Sequence, residues 1–128
     1  MKNTILLIFT LLSSFAFSES LEKTDFIGEW KASNESTTAL LIIADDFSGS
    51  FKRGNGEAFV FSGENIFFQK DIAIIELYVP KLGSPVQKLM LSGWKLGDTR
   101  KLYGMVLMYD SSVGQFNGIN LSLDYSNH

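Results

Sequence analysis

The chain has 128 residues, with 11 Lys and Arg against 14 Asp and Glu, one His and no Cys. A net charge of −3 without a basic patch argues against nucleic acid and anionic lipid as partners. The missing cysteines exclude a disulfide framework and, with the one His at position 128, any metal centre built from thiolates and imidazoles.

The chain opens on a targeting segment. Lys2 gives a positive start, Ile5 to Leu12 an apolar run, and Ala16-Phe17-Ser18 the small residues of a cleavage site. The run is shorter than the roughly 20 residues that a helix needs to span a bilayer, so no stable membrane insertion is expected. Residues 1–18 carry one Lys and no acid, so their removal leaves 110 residues with a charge of −4. That is the size of one domain. Export without cysteine fits a bacterial periplasm better than an animal extracellular space, and a periplasmic or secreted bacterial protein is expected. Residues 19–24 read as a flexible polar lead-in, and 25–128 as one β domain.

From Asp25 onward the pattern is strand, turn, strand. The spacing predicts nine strands, at 26–33, 38–44, 48–53, 57–62, 65–70, 72–79, 86–95, 100–109 and 115–125. Arg53-Gly54-Asn55-Gly56-Glu57 between two apolar runs is hairpin chemistry. Asp45-Asp46 reads as a pair of solvated turn acids, since it lacks the alternating acids of a calcium loop. Glycines at 49, 63, 93, 104 and 118 each follow an apolar residue by two positions, as sites of bending or close backbone approach. Short connections make neighbouring strands antiparallel. An antiparallel up-and-down meander of eight or nine strands, closed into a small barrel to remove its edges, is the expected fold. An outer-membrane barrel is set aside because 48–53 and 65–70 fall short of its roughly 9–11-residue strands.

Gly28 and Trp30 share one face of the first strand, so Gly28 leaves room that Trp30 fills as a structural plug. This Gly-x-Trp after a signal segment resembles the lipocalin-like barrels. The resemblance implies an up-and-down barrel, with the Trp paired to an Arg late in the chain. The last strand holds no Arg, and Arg100 stands too early for that role. Inside such a barrel, Phe59, Phe61, Phe68, Met90 and Trp94 are candidates to line a cavity for a small apolar ligand, or simply to fill it.

A second reading places the function on the surface. Bacterial inhibitors of secreted metalloproteases also carry Gly-x-Trp near the mature start, and this chain resembles them in that feature. The resemblance implies that Ser18-Glu19-Ser20-Leu21 enters a protease cleft, although the family's disulfide cysteines are missing here. An envelope-assembly or immunity partner fits the residues equally. Strands 72–79 and 102–109 are apolar on both faces, which suggests outer faces covered by a partner or a second copy. Catalysis has little to work with. His128 is terminal, and of the acids Glu57, Glu64, Glu76, Asp98 and Asp110 only Glu76 interrupts an apolar strand. No enzyme activity and no cofactor are expected.

Overall fold

Consecutive short strands joined by tight turns pair with each other, and the computed structural model follows that rule with two breaks. It describes residues 17–33, 38–54, 56, 58–78, 85–110 and 112–126. Of residues 1–18, read above as a targeting segment, only Phe17 and Ser18 are among the described residues. Ten strands form one sheet: β1 (Glu19–Ser20), β2 (Gly28–Ala32), β3 (Ala39–Ile43), β4 (Gly49–Arg53), β5 (Phe59–Phe61), β6 (Ile66–Gln69), β7 (Ile72–Tyr78), β8 (Pro85–Leu96), β9 (Thr99–Asp110) and β10 (Gln115–Ser126). Single 3-10 turns occur at Lys23–Phe26 and Gly63–Asn65. Among the described residues no helix is long and apolar enough to cross a membrane.

The strand order is β5-β4-β3-β2-β10-β9-β8-β7-β6. Every pairing is antiparallel, and the first main strand meets the last, with Trp30 opposite Tyr125. The result is a nine-stranded meander in a nearly closed barrel. Its gap falls between β5 and β6, which are neighbours in sequence and joined through the Gly63–Asn65 turn. The wall is uneven: β8, β9 and β10 have 12 residues each, whereas β2 to β6 have three to five. At about 3.4 Å per residue the long strands run on well past the short ones.

Alternation sends one side of each strand inward. Trp30, Leu41, Phe51, Ile75, Leu89, Leu91, Leu102 and Leu123 are fully buried, as is Phe26 from the turn before β2. These large side chains pack the interior as one apolar cluster. Gly28 has φ +136°, and a Cβ there would run into the Tyr125 ring. Strand glycines mark where the wall bends. At Gly49, Gly93 and Gly104 a Cβ would collide with a backbone carbonyl of the adjoining strand, from Ile42, Lys101 and Met90 respectively. Such close approach is available only to glycine.

The lead-in 19–24, expected to be flexible, has partners. Glu19 and Ser20 pair with Lys95 and Trp94, extending the edge of β8 beyond the end of β7. Leu21 is buried, packed toward Gly93. A small apolar anchor and a free strand edge hold a segment whose own composition is polar.

This arrangement ties the lead-in and the turn before β2 to the β8–β9 hairpin. Lys95 and Arg100 stand directly opposite each other across β8 and β9, a like-charge pair that is unfavourable alone. Asp25 answers both. Lys95 Nζ lies 2.8 Å from Asp25 Oδ2, and Arg100 reaches the Asp25 carbonyl at 3.2 Å. The Glu22 N–H donates to the same carboxylate at 2.9 Å. Burial, the largest single influence on Asp25, pushes its carboxyl up. The Lys95 hydrogen bond, the Glu22 N–H and the two cations together outweigh burial and hold the carboxyl below its usual 3.8. The same hydrogen bond raises Lys95 above 10.5.

A depressed folded-state carboxyl stabilises above its unfolded pKa and loses that stabilisation as pH falls through the folded value. Asp25→Asn is therefore expected to unfold at lower temperature than the wild type at neutral pH. The gap should narrow below pH 3.8. Thermal unfolding by circular dichroism across that range measures it; a gap that holds constant would mean the carboxylate charge plays no part.

Candidate functional site

The five aromatic and thioether candidates for a cavity do not come together. Phe61 is buried, and Phe59 and Phe68 pack against the core from β5 and β6. Met90 and Trp94 lie on the opposite face of β8 from Leu89, Leu91 and Gly93, and Met90 is 37% exposed. The strand is apolar on both faces, so its register cannot be read from hydrophobicity alone, and a shift of one residue exchanges inside for outside.

Phe68 packs beside the turn that precedes β2. Its ring meets Phe26 and Phe47 edge-on, each at 5.4 Å between centroids. The Lys23 ammonium sits 5.3 Å from the Phe47 and Phe68 rings, within cation–π range. Trp30 donates its indole N–H to the Phe26 carbonyl at 2.9 Å and packs edge-on against Tyr125 at 5.2 Å. Arg100, placed too early by the sequence reading, stacks 4.7 Å above that Tyr125 ring. The cation thus reaches the Trp30 cluster through an intervening tyrosine, from β9 rather than from the last strand.

The acidic residues singled out in the sequence have local partners where they are described. Asp46 Oδ1 accepts from the Ser48 N–H and hydroxyl, and Asp110 Oδ1 accepts in the same way from Ser112. The serine hydrogen bonds hold both carboxyls below their ordinary values. Glu76 faces outward, where it accepts from Tyr78 Oη at 2.9 Å and lies 3.9 Å from Lys88. Glu64 and Asp98 are exposed. Glu57, His128 and Asn34 to Thr37 lie outside the described residues. Among the described residues no three of His, Cys, Asp and Glu gather as metal ligands would.

What the fold does assemble is an apolar outer face. Phe67 on β6 stands opposite Ile74 on β7, Ile74 opposite Met90 on β8, and Met90 opposite Met105 on β9. These four form one cross-strand row. A second line runs along β9 through Tyr103, Met105, Leu107 and Tyr109, ending on Phe116 of β10, whose ring lies 5.1 Å from Tyr109. Phe67, Tyr103, Tyr109 and Phe116 are each about half exposed. Charged pairs frame the region: Glu76 with Lys88 on one side, and Lys101 with Asp124 at 3.8 Å on the other.

The greasy faces of 72–78 and 102–109 are thus parts of a single surface, made continuous by β8. Phe67 and Met90 were not recognised as members, because each sits in a run that is apolar throughout. A groove of about 550 Å³ shares Tyr103 and Met105 with this face and is lined further by Asn120, Ser122, Ala32, Gly104 and Leu121. No family model matches the chain, and neither a curated protein nor a solved structure does.

Proposed function

We propose that this protein is an exported, non-catalytic barrel that works by docking a protein partner on the outer face of β6 to β9. The observation that carries the reading is the row Phe67, Ile74, Met90 and Met105. Half-exposed aromatics each present on the order of 100 Å², so Phe67, Tyr103 and Tyr109 with the methionines and Ile72 bring the face to roughly 500 Å². Monomers seldom leave a contiguous apolar patch of more than a few hundred Å² uncovered. The large side chains inside favour a surface over a cavity, and the folded lead-in favours the barrel wall over an N-terminal arm as the binding element. In this reading the Gly-x-Trp shared with lipocalin-like barrels serves closure, not ligand capture.

The test places a photo-crosslinking residue at Met105, and a control at Lys52, in protein exported by a bacterial host. A defined adduct from position 105 only is expected. The adduct partner, once purified, should bind the wild type and lose binding to Met90→Asp. Equal labelling at both positions, or unchanged binding by the variant, would defeat the proposal. A small molecule retained in native mass spectrometry and released on denaturation would return the function to the interior.

A further inference from the structure

Among the described residues, β10 presents a long open edge. Only Leu123 to Ser126 of β10 pair with β2, and the next contact is the Ser33 N–H bonding to the Ser122 carbonyl at 2.9 Å. On that side, no described strand or turn pairs with Gln115 to Leu121, although the same residues are fully paired with β9 on the other side. Because the Ser122 carbonyl points to the open side, so do the N–H and C=O groups of Asn120, Gly118 and Phe116, which share its phase in an antiparallel ladder. Exposed edges are normally blunted by a charge, a proline or a bulge. Gln115-Phe116-Asn117-Gly118-Ile119-Asn120-Leu121 contains no charge and no proline, and its pairing with β9 is regular.

We infer that this edge pairs with the same edge of a second copy, forming a two-fold dimer in which β10 runs antiparallel to its counterpart. The open stretch is centred on Gly118, so full overlap puts Gly118 on the two-fold axis. Phe116 of each copy then stands opposite Asn120 of the other, and the outward groups of 116, 118 and 120 are all satisfied. No like charges meet along the seam. The axis is perpendicular to the sheet, so the two apolar outer faces lie on the same side.

A second observation makes the edges complementary in shape. Phe116 is 59% exposed, held only from one side by Tyr109. Asn120 lines the 550 Å³ groove with Tyr103, Met105 and Ser122. Pairing 116 against 120 brings each copy's Phe116 to the mouth of the other copy's groove. Knob and hole exchange under the two-fold, as an isologous interface requires. The inference rests on the backbone edge and this groove, and it stands whether or not a different protein docks on the β6 to β9 face.

Sedimentation of the mature, exported protein tests it. Twice the monomer mass is expected for the wild type. Asn120→Pro removes one edge donor without touching the β9 ladder and should sediment as a monomer with an unchanged circular dichroism spectrum. Should that variant fail to fold, the register is tested by the Phe116→Cys, Asn120→Cys double variant. The chain has no other cysteine, and Cα atoms about 5.5 Å apart across a hydrogen-bonded pair suit a disulfide. Oxidation should yield a covalent dimer, whereas either single variant should not. A monomeric wild type, a double variant that stays monomeric on oxidation, or a dimer dissolved by Ile74→Asp but not by Asn120→Pro would overturn the inference.

Discussion

Replacing Trp30 by alanine is expected to cost about 3–5 kcal/mol, the range for deleting a buried large aromatic. The side chain is fully buried, meets Tyr125 edge-on and donates to the Phe26 carbonyl. Its loss empties the centre of the cluster between β2 and β10 and frees the turn that carries Asp25. A domain of this size has only about 5–15 kcal/mol to lose, so the variant should unfold early in urea or fail to accumulate. Trp30→Phe separates the two contributions. It keeps much of the packing and drops the hydrogen bond, with an expected loss of about 1 kcal/mol for the bond beyond the change in volume. Urea titration followed by far-ultraviolet circular dichroism reads both. A Trp30→Ala midpoint close to wild type would show that the barrel can collapse around the gap.

Gly104→Ala is expected to be nearly as damaging, although it adds one methyl group. That methyl would point into the Met90 carbonyl of the adjoining strand. A flexible side chain could turn aside, but a backbone carbonyl in a central ladder cannot. The cost should lie at or above the top of the roughly 1–3 kcal/mol usual for overpacking, because β8 and β9 must part to admit it. Gly49→Ala meets the same obstacle in the Ile42 carbonyl. Both variants are read by the same titration, and a loss below about 1 kcal/mol for either would mean the strands separate more readily than packed interiors do.

Strand positions were legible because hydrophobic alternation and turn residues are local signals. The reading of 115–125 met β10 at Gln115–Ser126, and that of 100–109 met β9 at Thr99–Asp110. The glycine spacing likewise pointed to bends, since close approach leaves few other residue choices. Facing was legible where a strand had one apolar side, as Leu121 and Leu123 show against Asn120 and Ser122. It failed on β8, where Leu89 and Leu91 go in while Met90 and Trp94 go out. Three features had no local trace at all. The contact between Asp25 and Lys95 spans 70 residues, the edge taken by Glu19 and Ser20 exists only because β7 stops short, and Arg100 meets Tyr125 only through the register of β9 on β10. Each depends on which strands lie side by side, and periodicity does not encode that. The continuous outer face was half visible for the same reason: its two apolar strands could be named, but the strand that joins them could not.

The pairing of the first main strand with the last has a bearing on how the chain folds. Trp30 waits for Tyr125, which arrives ninety-five residues later. Until then β2 to β5 can form a small hairpin array with one apolar side uncovered, and β6 to β9 a second. Closing so distant a contact carries the entropy of a long loop and makes for slow folding. A chain still being made has no native end point available to it. Commitment comes with the 12 residues of β10. In kinetic terms β10 is the latch of the molecule, and a shortened C-terminus should leave two collapsed halves that never meet.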